Sequence, residues 1–225
     1  MGAGMSGSTD GVDGCLAATR SGARPAIANR AELVGYHVIF STYGFWLPND
    51  PRGSWSNFVA SWDLFLHGRA TKTTETRSLA RRPHDAMRRR AAKSALQNPP
   101  VRLSGIQARS VGIGFGRYVR QSGLPVWACA IMPDHVHLVF GVWRLQVEQT
   151  VIQLKGTPAR ELKADGLYPT DELGIERDSK VFARGEWKVF LHPGDVRRAI
   201  RYVENNPLKE NKRRQNWSFV VPYMS

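Results

Sequence analysis

The chain has 225 residues, with 32 Lys plus Arg against 19 Asp plus Glu and a formal net charge of +13, and its isoelectric point is near 10.3. That balance is an electrostatic footprint for polyanions, nucleic acid above all, although basic ribosomal and RNA-binding proteins share it. Two cysteines, Cys15 and Cys129, exclude a disulfide framework and a zinc cluster, which points to a reducing, cytosolic setting, and no apolar run is long enough to span a membrane.

In chain order, residues 1 to about 30 are rich in Gly, Ser and Ala and lack a signal-peptide layout, so a disordered tail is expected there, with one domain over 31–225. Leu33 to Tyr43 predicts a strand, Val38 and Phe40 alternating with His37 and Ile39. A loop dense in Pro, Gly and Asp follows from Gly44 to Trp55. Residues 57–100 are the least regular; a basic helix is expected over His84–Gln97, with Met87, Ala91 and Ala95 as a thin apolar stripe. Ser104 can cap a helix running to Ser122, with Val111, Phe115 and Tyr118 on one face and Gly123 as its stop. Gly112, Gly114 and Gly116 inside it cost about 1 kcal/mol each against Ala unless close packing needs them.

Val126–Met132 and His135–Phe140 predict two strands joined tightly through Pro133-Asp134. Val147, Val151 and Leu154 mark a helix from about Gln146, expected to break or kink near Gly156 and Pro158. Trp187, Val189 and Leu191 alternate with Lys188 and Phe190 as a fourth strand. A last helix is expected from an N-cap pair, Gly194 and Asp195, to the stop at Pro207, with Val196, Ile200 and Val203 facing the core. The order βαββαβα predicts an α+β fold: a ferredoxin-like antiparallel sandwich with an added C-terminal helix. In that arrangement the first and third strands are central, and the added helix can cover the sheet face turned away from the two crossover helices.

Within this frame, His135 and His137 flank Val136 in a strand, so both rings point to one face with Cα atoms about 7 Å apart. Tyr202 and Asn206, four apart, are neighbours at the margin of the last helix's apolar stripe. His37 shares the histidine face one strand over, where packing or hydrogen bonding is the ordinary duty of such a residue. Trp46, Arg52 and Trp55 can stack unpaired bases or simply pin their own loop. Basic residues cluster twice: Arg81, Arg82, Arg88, Arg89, Arg90 and Lys93, and then Lys209, Lys212, Arg213 and Arg214 after the last helix. Either cluster can hold a DNA backbone or be a solvated face, and Glu204 can orient a ligand or only solvate its helix.

Three blocks together, Thr42–Gly53, Met132–Val139 and Tyr202–Glu210, resemble the HUH single-strand DNA endonucleases, specifically the single-tyrosine transposases and their REP-associated relatives. The resemblance runs from about Leu33 to the C-terminus, and relative to a minimal core of that family residues 57–100 are an insertion. It implies a metal site of His135, His137 and Asn206, Tyr202 as nucleophile, and Mg²⁺ or Mn²⁺ as the working ion. The implied activity is nicking and rejoining of single-stranded DNA near hairpins through a 5′-phosphotyrosine intermediate. Neutral ligands suit this chemistry because they leave the ion its full charge for the phosphate, and a phenol, with an ordinary pKa near 10, needs help to lose its proton. The partners implied are single-stranded or hairpin DNA and no membrane, in a cytoplasmic, nucleoid-associated protein acting as monomer or homodimer. The competing readings are an idle, domesticated transposase that binds DNA sequence-specifically, and a metal phosphoesterase that uses water.

Overall fold

Alternating apolar residues set up the sheet. The computed structural model describes residues 32–75, 79, 82–170, 174–176 and 180–224; the tail expected over residues 1–30, with Cys15, and Arg81 of the first basic cluster lie outside them. Four strands, β1 (Gly35–Ser41), β2 (Val126–Ile131), β3 (His135–Gly141) and β4 (Trp187–Leu191), form one antiparallel sheet in the order β2-β3-β1-β4. The expected α+β class therefore holds, and β1 and β3 are central.

The sheet's two faces have different covers. Val38, Phe40, Val136, Leu138 and Phe140 point into the main core, where they meet Val111 and Phe115 of α3 (Gly105–Ser122) and Val151 and Leu154 of α4 (Val147–Ala164). Each such fully buried side chain contributes roughly 1.5–3 kcal/mol. The opposite face is covered over part of its area by α5 (Pro193–Glu204), whose Val196, Ala199 and Val203 pack on Ala128, Ala130, Val139 and Leu191. The remainder of that face is where the histidines stand.

Helix α3 begins as its sequence predicts: the Ser104 side chain accepts from the Gln107 amide while the Gln107 side chain accepts from Ser104. Gly123 ends it at φ 74°, a left-handed conformation that favours glycine. Its internal glycines are contact points. A Cβ on Gly114 would lie 2.5 Å from the Cα of Pro158, and one on Gly112 would overlap the Trp217 ring. Gly114→Ala is accordingly expected to destabilise the protein by about 1–3 kcal/mol, read as a lower urea midpoint with an unchanged m-value.

Three boundary expectations are corrected. The expected break does not occur: α4 runs through Pro158 to Ala164, with Pro158 packed closely on Gly114. The last helix starts earlier than its acidic residue suggests, with His192 as N-cap and Pro193 in the first position, where a missing N–H costs nothing. In the insertion, the basic helix is shorter, α2 (Ala86–Ser94), and it follows a short helix α1 (Trp62–Leu66) that periodicity did not reveal. The expected stripe is also wrong there. Met87 is 76% exposed, whereas the small Ala92 is buried against Leu47 and Leu64 where α2 approaches its neighbours closely, with Arg88 and Arg90 turned outward.

The sheet edge at β2 is closed by the chain's own end. The Gln215 side chain accepts from the Ile131 amide and donates to its carbonyl, both at 2.7 Å, and Val221 donates to Val126. Among the described residues no helix is long and apolar enough to cross a membrane.

Candidate active site

Register places the histidines. On β3, His137 pairs with Ile39 and His135 with Ser41, so both imidazoles share a face with His37 of β1, which pairs with Val139. The ring centroids of His135 and His137 are 4.9 Å apart, and those of His37 and His137 are 5.3 Å apart. Helix α5 then carries Tyr202 over the group: its ring lies 5.7 Å from both His37 and His137, in edge-on geometry. The structure thus brings His37, His135, His137 and Tyr202 together, although Tyr202 is 165 places from His37 in the chain.

Burial is graded across the cluster. His137 is 4% exposed while Tyr202 is 43% exposed, so the phenol stands at the rim and the imidazoles at the floor. Burial holds His37 down to about 4. Burial, then the charges of His135, His37 and Lys209, holds His137 well below the usual imidazole range. Both are therefore neutral near pH 7, the state in which a ring nitrogen has a lone pair to give. Asn206, one turn beyond Tyr202, is buried, and its Nδ2 has no hydrogen-bond partner. The unpartnered atom is a hydrogen-bond donor, which suits an acceptor such as a phosphate oxygen; a cation would have to use the amide's Oδ1 instead. Among the described residues no three His, Cys, Asp or Glu side chains are arranged to hold an ion. By chemical type, two neutral imidazoles and an amide oxygen would suit a divalent ion of intermediate softness.

Residues with no assigned site role complete the wall. Asp134, expected only as part of a turn, accepts from His135 Nδ1 at 2.7 Å. Burial raises the Asp134 carboxyl, but the hydrogen bond and charge of His135 and the charges of Arg102 and Lys93 outweigh it and keep it below the usual carboxylate range. Thr42 fastens this turn, its hydroxyl donating to the carbonyls of Val101 and Asp134. Phe45 stacks on His135 at 5.8 Å and 20°, and Lys93 of α2 lies 5.3 Å from the Phe45 ring. Burial, with Arg89 and Arg52 nearby, lowers the Lys93 pKa. The insertion therefore borders the site with a cation. Adjacency of Asp134 to His135 was the one sequence signal available; Phe45 and Lys93 had none beyond their blocks.

The residues proposed from sequence for DNA contact divide. Lys209 sits with its ammonium 3.8 Å from the Tyr202 ring centroid, at the site itself. Lys212 is exposed and paired with Glu210, Arg213 is exposed, and Arg214 donates to Asn205. On α2, Arg88 is exposed and donates to the carbonyl of His67, and Arg89 is half-buried. Trp55 is 54% exposed and packs edge-on against Trp187 at 4.5 Å.

Trp46 and Arg52 are used internally. The Arg52 guanidinium is buried, forks onto Asp50 at 2.8 and 2.7 Å and lies 3.8 Å over the Trp46 ring, while Trp46 donates to Gly53. That is the loop-pinning alternative, and it leaves the Arg52 head little freedom to meet a base. Arg52→Ala is expected to cost about 3 kcal/mol of stability, because it strands the buried Asp50 carboxylate. Thermal unfolding checks this; unchanged stability with weakened oligonucleotide binding would instead make Arg52 a DNA contact.

The solved structures similar to this chain include two transposases. A REP-associated tyrosine transposase bound to a REP hairpin is 17% identical over 51% of this chain and 63% of its own, with a TM-score of 0.38. The chain thus spans less than two thirds of that transposase. A candidate transposase of Deinococcus radiodurans R1 is 16% identical over 84% of this chain and 97% of its own, with a TM-score of 0.37. No protein-family model and no curated protein matches the chain.

Proposed function

We propose that this protein is a divalent-metal-dependent endonuclease and strand transferase for single-stranded DNA, a transposase of the single-tyrosine kind, with Tyr202 as its nucleophile. The observation that carries the reading is the Tyr202 ring lying 5.7 Å from the His137 ring, with His135 beside it. His135, His137 and Asn206 would hold the ion, Mg²⁺ or Mn²⁺. When bound, it supplies charge neutralisation to the non-bridging phosphate oxygens.

Each residue's part follows from its surroundings. Tyr202 Oη forms a bond to phosphorus and gives up its proton; the P–O3′ bond breaks, and the departing oxygen gains a proton to become a free 3′-hydroxyl. A 5′-phosphotyrosyl ester remains on the protein. It is an ester exchanged for an ester, so attack by another 3′-hydroxyl can rejoin the strand without an energy source. Lys209, against the Tyr202 ring, holds that ring by a cation–π contact and adds positive charge where a phosphate must approach. Phe45 against His135, and Lys93 against Phe45, narrow the other side of the entrance.

The substrate class, single strands bearing a hairpin, and a nucleoid-associated location belong to the same proposal and agree with the net charge of +13. Incubating the protein with end-labelled hairpin-bearing single strands and Mg²⁺ or Mn²⁺, followed by denaturing electrophoresis, tests it. A covalent protein–DNA band with a free 3′-hydroxyl fragment is expected. Cleavage without a covalent band would replace the tyrosine nucleophile by water. Retarded but uncut DNA would leave an idle binding protein.

A further inference from the structure

We propose that His37 is a positioning residue: its Nε2 accepts the Nδ1–H of His137 and thereby fixes the tautomer in which His137 turns an Nε2 lone pair toward a cation. The inference rests on the cation site proposed above and assigns His37 the part of a tether, not of a third ligand.

The geometry starts from the sheet. His37 and His137 stand diagonally across β1 and β3, and their rings lie within 28° of parallel. His37 Nε2 and His137 Nδ1 are 3.1 Å apart and buried, so one of them must donate to the other. A neutral imidazole has a single N–H, which leaves two arrangements. Were His37 the donor, the proton of His137 would stand on Nε2, and that ring would have no lone pair left for an ion. With His137 as donor, its Nε2 is free.

The neighbouring histidine displays the same device. The Asp134 carboxylate can only accept, so His135 donates from Nδ1, at 2.7 Å. Its Nε2 is then the acceptor of the neutral ring. Two histidines on one strand face thus have their Nδ1 atoms engaged, one by a carboxylate from the turn before β3 and the other by an imidazole from β1. Engaging the far nitrogen of a metal-binding histidine orients the ring and selects its tautomer.

Long-range ¹H–¹⁵N correlation spectra of the metal-free full chain read the tautomers directly. His137 is expected as the Nδ1–H form, and a wild-type His137 in the Nε2–H form overturns the inference. Co²⁺ titration supplies a second reading: His37→Phe is expected to weaken binding by about 10–100-fold, while His37→Gln, whose carbonyl oxygen can replace Nε2 as acceptor, stays within about threefold. Equal affinity in the wild type and His37→Phe, or X-ray absorption counting three imidazoles on bound Co²⁺, also overturns it. Should His37→Phe not fold, the wild-type spectrum and His37→Gln decide. A wild type that binds no Co²⁺ removes the cation reading of the site, whereas the tautomer of metal-free His137 still answers for His37.

Discussion

Tyr202→Phe is expected to lower strand cleavage by at least about 10⁴-fold, the scale on which loss of a nucleophile acts, while DNA affinity changes little. The substitution deletes one oxygen from a ring that is nearly half exposed, and the ring's packing against His37 and His137 needs only its carbon frame. Fold and stability should therefore be unchanged. Lys209 retains its aromatic partner in Phe, so the cation–π contact survives as well. Single-turnover cleavage of a labelled hairpin strand, with binding measured in parallel in EDTA, separates chemistry from affinity. Cleavage within tenfold of wild type would transfer the nucleophile to water or another side chain.

His137→Ala should be the second most damaging change. It removes one of two imidazole donors, and divalent-ion affinity is expected to fall by at least about 100-fold, since even partners outside the ligand set are worth 10–100-fold. A stability loss accompanies it. His137 is buried and hydrogen-bonded to His37, so its removal leaves a cavity and an unpaired ring nitrogen, together costing about 1–3 kcal/mol. Calorimetric titration with Mn²⁺ and circular dichroism distinguish the two effects. Loss of cleavage with normal Mn²⁺ affinity would assign His137 to some other duty.

Much of the frame was legible because it depends on local pattern. Period-two alternation gave the first and last strands, two apolar runs joined by the Pro133-Asp134 turn gave the middle pair, and Ser104 as a cap gave the start of α3. The pairing of His135 with His137 followed from strand geometry alone. That Tyr202 meets them depends on α5 crossing the sheet's second face, which the apolar stripe of Val196 and Val203 made foreseeable.

What stayed hidden depends on contacts distant in sequence. Pro158 suggests a break by its own chemistry, and its close approach to Gly114 on another helix is not visible along the chain. Ala92 buries where Met87 does not because the space beside Leu47 and Leu64 is small. Arg52 looks like a ligand for DNA until Asp50, two residues away, is seen to hold it inside. The short helix α1 has one buried residue, Leu64, too few for a period to declare itself. His37 and Asp134 are ordinary residues in sequence and become specific only through the nitrogen atoms that they face.

The most direct measurement is mass spectrometry of the protein trapped on a hairpin-bearing single strand, after nuclease trimming and proteolysis. The expected product is the peptide carrying Tyr202 with a nucleotide joined through its 5′-phosphate to the phenolic oxygen. A nucleotide found on any other residue, or an unmodified Tyr202 peptide recovered from protein that has cut its DNA, would contradict the proposed role of this tyrosine.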